Sequence, residues 1–179
     1  REILRMALSG LEALHMQRVL HRDLKPENVL LLDRRGGFLD LRIADFGMAC
    51  RLARADGIMR GVGGSPGYMA PEVRWAKERR QPYGATCDWY TIGVLTYEFS
   101  AGTVPFAHPE DENPAYRAHD FGDKRCESFV MGLLTQDHNK RLGCGAGGIN
   151  EILEHPYWRG IEWDLVPLKK FESPCKGLK

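Results

Sequence analysis

One short run of the chain, His21-Arg22-Asp23-Leu24-Lys25-Pro26-Glu27-Asn28, holds a carboxylate, an ammonium and a carboxamide close together. The carboxylate of Asp23 can accept a proton from a hydroxyl. The ammonium of Lys25 can neutralise a phosphate. The amide oxygen of Asn28 is a hard ligand for a divalent cation. Another carboxylate follows in Asp45-Phe46-Gly47, and then comes Ala70-Pro71-Glu72. Singly, each run is ordinary. A lone Asp is commonly solvated or caps a helix, Asn is a frequent turn residue, and Asp-Phe-Gly occurs in turns. In this order and at these separations they suit phosphoryl transfer, which needs an oriented hydroxyl, in-line geometry and neutralised charge rather than covalent help.

The three runs match, in order and spacing, a catalytic loop, a metal-binding Asp and the end of an activation segment. On these residues the chain resembles the C-terminal lobe of a eukaryotic protein kinase over nearly its whole length. The resemblance implies that Asp23 is the catalytic base and Lys25 meets the transferring phosphate. It implies ATP and Mg²⁺ as cofactors, with Asn28 and Asp45 as the metal ligands. Lys25, Asn28, Leu30 and Asp45 would then line the nucleotide site, Leu30 as part of an apolar floor under adenine. Gly47, beside Asp45, would let the backbone turn freely. His21 and Phe46 match a stacked apolar spine. Glu72 and Arg141 match a buried ion pair. Asp88, in Asp88-Trp89-Tyr90-Thr91-Ile92-Gly93, matches a buried Asp that anchors the catalytic-loop backbone; the alternative is a plain helix cap.

Lys25-Pro26-Glu27-Asn28 is the serine/threonine form of the motif, and Ser65 sits where such kinases keep a hydroxyl that bonds the catalytic Asp and Lys. Asn139-Lys140-Arg141-Leu142-Gly143, His155-Pro156-Tyr157-Trp158 and Ile161-Glu162-Trp163 resemble the AGC group. Gly67 to Val73 and the turn from Leu142 to Gly148 are most similar to G-protein-coupled-receptor kinases. Glu27 and Glu98 match positions that hold a substrate arginine; both can equally be solvated acids. Glu27, Ser65 and Glu98 are thus the expected substrate-binding residues. No Ser, Thr or Tyr occurs between Asp45 and Gly64, and Gly61 occupies the place where AGC kinases carry a phosphorylated Thr. Activation without phosphorylation of this segment is expected, with Arg22 bonded to backbone or to an acid such as Asp56.

These groups need a scaffold. The chain has 179 residues, 43% of them hydrophobic and 27% charged, as expected of an ordinary globular chain. Its net charge of +1 gives no general pull toward nucleic acid or a membrane surface. Five scattered cysteines and six scattered histidines lack metal-site spacing. Reduced thiols, and hence a cytoplasmic protein, are expected. No apolar run reaches membrane-spanning length, and no signal segment opens the chain.

Apolar spacing predicts an amphipathic helix over 1–17, strands at 29–32 and 38–43 forming a hairpin, and a glycine-rich loop over 48–67. It predicts a buried helix from Trp89 to Phe99, loop plus a short helix over 101–123, a helix around Phe129–Leu134 and another over 149–155. The fold class expected is mainly α with a few short β-strands, a protein-kinase-like C-lobe (α+β). Residues 1–158 would be that lobe, and 159–179 the start of an AGC-type C-terminal extension. The sequence contains no G-x-G-x-x-G before a strand and no V-A-I-K lysine, so no N-lobe is expected within it. The glycines of 61–67 follow Asp45 and so cannot be the nucleotide-covering loop. The expected function is ATP-dependent transfer of phosphate to Ser/Thr hydroxyls of protein substrates, possessing upstream Arg, in an enzyme whose N-lobe is not in these residues. The alternative is a non-catalytic pseudokinase-like scaffold, against which the intact Asp23, Lys25, Asn28 and Asp45 argue.

Overall fold

The computed structural model describes residues 1–34, 38–53, 58–79, 82–106, 111, 114–117 and 120–160. Helix α1 (Glu2–Met16) opens the chain and turns its Leu4, Leu8 and Leu11 face into the core. The two-residue strand β1 (Val19–Leu20) leads into the 21–28 loop, which ends in a 3₁₀ turn at Pro26–Asn28. Pro26 suits that turn, because its missing N–H would have had no partner there.

Strands β2 (Val29–Arg34) and β3 (Phe38–Ile43) form an antiparallel hairpin in which Val29 faces Ile43. Asn28 and Asp45 therefore flank its open end, as the sequence pattern implied. A second pair joins β1 to β4 (Cys50–Arg51), so the predicted 48–67 loop contains a strand. Short helices α2 (Pro71–Arg74) and α3 (Ala76–Arg79) follow.

The centre of the fold is α4 (Thr86–Ala101), buried on every side from Cys87 to Tyr97 and closed by Gly102 in the left-handed conformation. Helix α5 (Lys124–Leu133) packs against it, and Gly93 permits the contact: a Cβ there would lie 2.9 Å from that of Leu133. The sequence located only the second half of α5, because its first half is polar. Its start is set by Asp123, whose carboxylate accepts the amides of Arg125 and Cys126, both at 2.9 Å. Helix α6 (Ile149–Leu153) is shorter than the predicted 149–155, since Pro156 begins a separate 3₁₀ turn, Pro156–Trp158. Phe129, Tyr157 and Trp158 close the core there, the first two rings stacked at 4.6 Å.

Among the described residues between Ala101 and Lys124 no helix forms, contrary to the short helix expected over 101–123. Residues 107–110, 112–113 and 118–119, where part of that expectation falls, lie outside the described residues. The proposed C-terminal extension, apart from Arg159 and Gly160, lies outside the described residues. No helix among the described residues is long and apolar enough to cross a membrane.

Candidate active site

The 21–28 loop hangs from the first turn of α4. Asp88 accepts the backbone amides of His21 at 3.0 Å and Arg22 at 2.8 Å. It is not a helix cap; the N-cap of α4 is Ala85. The side chain of His15, from α1, reaches the same carboxylate at 2.7 Å. Burial by itself would raise the Asp88 pKa, but the bond to His15 and the two amides outweigh it, and the carboxyl is held below its ordinary range. The sequence reading missed His15. Its signal was positional: a polar residue continuing the buried stripe of Leu4, Leu8 and Leu11.

Within the loop, Asp23 is buried. Its backbone carbonyl accepts the Asn28 side-chain amide at 2.8 Å. One carboxylate oxygen lies 3.6 Å from the Lys25 ammonium. The other, Oδ1, is buried with no hydrogen-bond partner. Lys25 donates to the Ser65 hydroxyl at 2.8 Å. Ser65 was expected to bond both Asp23 and Lys25; it meets Lys25 and makes no hydrogen bond to Asp23, whose nearer neighbour is the lysine.

Asn28 is also buried, and its backbone carbonyl accepts the amide of Ala44 at 2.9 Å. That bond brings Asp45 beside Asn28. The turn at Asp45 differs from expectation. Asp45 itself is left-handed, with φ 58°, while Gly47 is not; the Gly47 amide donates to Asp45 Oδ1 at 3.1 Å. An Asp tolerates this conformation because its own side chain closes the turn.

The donor set fits a divalent cation. Asn28 spends its N–H on Asp23, which turns its oxygen toward other partners, and Asp45 retains a second carboxylate oxygen. One carboxamide and one carboxylate are sufficient protein ligands for Mg²⁺, which keeps several waters. Leu30 is half-exposed on β2, and Phe46, also half-exposed, meets the His21 ring edge-on at 5.3 Å.

The 58–72 segment closes over the loop. Arg22 donates through Nε to the Met48 carbonyl at 2.7 Å and through a terminal nitrogen to the Tyr83 hydroxyl at 3.0 Å. The first bond is the backbone partner expected of Arg22; the other candidate, Asp56, lies outside the described residues. Tyr83 was not anticipated at all. Glu72 and Arg141 form a fully buried bidentate pair, at 2.5 and 2.8 Å. Arg141 also donates to the carbonyls of Thr86 at 2.8 Å and Thr135 at 3.1 Å. Glu98 accepts the Tyr68 hydroxyl on both oxygens, at 3.1 and 2.9 Å. Burial first, then Glu98, then the charge of Glu27 raise the Tyr68 pKa, so both acids act on one hydroxyl. The structure thus gathers Asp23, Lys25, Asn28, Asp45 and Ser65 at one end of the hairpin, and Glu27 and Glu98 around Tyr68.

The protein kinase domain family matches residues 1–158. The chain is similar to beta-adrenergic receptor kinase 1 of Rattus norvegicus, 35% identical over 175 residues that make up 92% of this chain and 24% of that protein. It is similar to protein kinase C of Drosophila melanogaster, 38% identical over 179 residues, 93% of this chain and 22% of that protein. With cAMP-dependent protein kinase catalytic subunit 2 of the same fly it is 36% identical over 174 residues, 92% of this chain and 46% of that protein. It therefore spans less than half the length of each of these relatives.

Proposed function

This chain belongs to the protein kinase domain family, and from that premise we propose that it is the C-terminal lobe of an ATP-dependent serine/threonine kinase of the AGC group. Residues 1–158 form the lobe in this reading and 159–179 begin a C-terminal extension. The observation that carries the reading is the Asp23 carboxylate: buried, with one oxygen 3.6 Å from the Lys25 ammonium and the other without a partner. An acceptor of that kind is costly to keep unless something binds it. A substrate hydroxyl is the matching donor.

In this mechanism the Ser or Thr hydroxyl donates to Asp23 Oδ1, which orients the oxygen and accepts its proton as the bond to the γ-phosphorus forms and the bond from that phosphorus to the departing ADP oxygen breaks. Lys25, held by Ser65, places positive charge beside the transferring phosphate. Asn28 and Asp45 would hold Mg²⁺, which would neutralise charge on the nucleotide phosphates, and Leu30 would pack under the adenine. Leu30, Leu32 and Phe46 leave an apolar face half-exposed, which supports an N-lobe covering that side. Substrates are proteins with an arginine upstream of the target, met by Glu27 and Glu98. A cytoplasmic setting accords with the four described cysteines, all free thiols.

The test is Mg²⁺-ATP-dependent phosphorylation of a basic protein by the full-length enzyme, with Asp23→Asn as the control. The variant is expected to lose at least about 100-fold in kcat. Equal transfer by both proteins would leave a scaffold, not a catalyst.

A further inference from the structure

Tyr83 makes a set of contacts that the mechanism above does not use. It is almost fully buried. Its hydroxyl accepts from Arg22 at 3.0 Å and donates to the Gly61 carbonyl at 2.7 Å. Its backbone pairs with Met59 in both directions, at 2.7 and 3.1 Å. One residue therefore bonds the 59–61 stretch three times and the 21–28 loop once. Burial raises the Tyr83 pKa more than Arg22 lowers it, so the hydroxyl keeps the proton it gives to Gly61.

The strands of this clasp converge on the active loop. Arg22 precedes Asp23, and its Nε donates to the Met48 carbonyl. Further along, the segment lies flat on Arg22: a Cβ on Gly63 would sit 3.4 Å from the guanidinium carbon, and one on Gly64 2.4 Å from the Arg22 carbonyl oxygen. The next residue is Ser65, which holds Lys25. No side chain from Phe46 to Gly64 carries a hydroxyl, so nothing in that stretch can take up a phosphate ester to neutralise Arg22.

We propose that Tyr83 is a positioning residue for phosphoryl transfer, its hydroxyl clasping Arg22 to Gly61 so that the segment leading to Ser65 is ordered by protein groups alone, without covalent modification. The proposal rests on the phosphotransfer reading and adds to it the means by which the site is kept assembled.

Tyr83→Phe in the full-length protein removes the hydroxyl and keeps the ring. Two quantities are read: the rate of tryptic cleavage after Arg60, and steady-state kinetics. Losing bonds to a charged group and to a carbonyl is expected to speed cleavage after Arg60 about 10-fold, because proteolysis follows the opened population. The kcat is expected to fall about 10-fold and the KM for protein substrate to rise, while the KM for ATP stays unchanged, a split that general destabilisation would not give. If near-UV circular dichroism shows that Tyr83→Phe has not folded, Arg22→Lys reads the same clasp from its other end. Unchanged cleavage and unchanged kcat in a folded variant, with Asp23→Asn inactive, would overturn the clasp and leave the phosphotransfer reading standing. Transfer that survives in Asp23→Asn would overturn the phosphotransfer reading, and the positioning role with it, whereas the cleavage rates would still report the tether.

Discussion

Asp88 accepts the backbone amide of Arg22 at 2.8 Å, although 66 residues separate the two in the chain. Arg22 has a φ of 68°, a conformation that costs a non-glycine residue on the order of 1 kcal/mol. It persists because the bonds from Asp88 to Arg22 and His21 over-determine it. The strain and its restraint lie directly beside Asp23. A buried acid in the middle of the fold thus fixes where Asp23, the proposed proton acceptor, stands.

Asp88→Asn should therefore be costly in a pH-dependent way. At neutral pH the loss is expected to be about 3 kcal/mol in urea unfolding, because a charged acceptor of three hydrogen bonds is replaced by a neutral one. The Asp88 pKa in the folded protein lies below its ordinary value of 3.8. The stability it contributes is complete above that value and is lost as pH falls from 3.8 toward the folded pKa. The gap between wild type and variant should narrow below about pH 4. A gap that stays constant from pH 7 to pH 3 would remove the charge from the explanation.

The Glu72–Arg141 pair predicts an asymmetry. Glu72→Gln leaves a buried guanidinium unpaired and should cost about 3–5 kcal/mol. Arg141→Met should cost more, since Arg141 also satisfies the carbonyls of Thr86 and Thr135. The double variant should lose less than the two single losses combined, because neither charge is then stranded. Additive losses in denaturant titrations would mean that the two residues do not act as a pair.

Much of this was legible along the chain. The α1 stripe repeats at helical spacing, α4 is apolar almost all round, β2 begins as an unbroken apolar run and β3 alternates, and the hairpin they imply placed Asn28 and Asp45 at its two edges. What escaped was long-range or too short for periodicity. His15 meets Asp88 from another helix, and Tyr83 meets Gly61 and Arg22 across turns. Strand β4 has two residues and no pattern of its own. The left-handed turn fell on Asp45 rather than Gly47 because a local side-chain bond can replace glycine's freedom.

Gly64 and Gly67 separate strain from collision. Both have positive φ, 121° and 89°. An Ala at Gly67 meets open space, so only backbone strain is added, about 1–2 kcal/mol. An Ala at Gly64 adds a contact of 2.4 Å with the Arg22 carbonyl oxygen, and backbone must move. Gly64→Ala should lower both thermal stability and kcat well below Gly67→Ala. Equal melting temperatures and equal kcat would show that the segment does not press on Arg22.

Glu98 should govern the choice of substrate. Its carboxylate already accepts the Tyr68 hydroxyl twice, which fixes its position for a guanidinium. Glu98→Gln is expected to cut the preference for a peptide with upstream Arg over its Ala counterpart by about 10-fold in kcat/KM. Tyr68→Phe should keep the preference, since the charge remains. A profile showing no Arg preference in the wild type would dismiss this role for Glu27 and Glu98 alike.

Ser65 decides where Lys25 spends its charge. The ammonium lies 2.8 Å from the Ser65 hydroxyl and 3.6 Å from Asp23. Without the hydroxyl, Lys25 is free to close on Asp23 as a tight ion pair. In the proposed mechanism its charge then leaves the transferring phosphate, and the Asp23 carboxylate becomes a poorer proton acceptor. Both effects slow the chemical step, and neither touches the nucleotide in the ground state. Ser65→Ala should lower kcat about 10–100-fold, the range for a hydrogen bond to a charged group, with the KM for ATP little changed. Ser65→Thr keeps the hydroxyl and should restore most of the rate. A Ser65→Ala enzyme with wild-type kcat would mean that Lys25 is held elsewhere, and a Thr variant as slow as the Ala variant would trace the defect to packing rather than to the hydrogen bond.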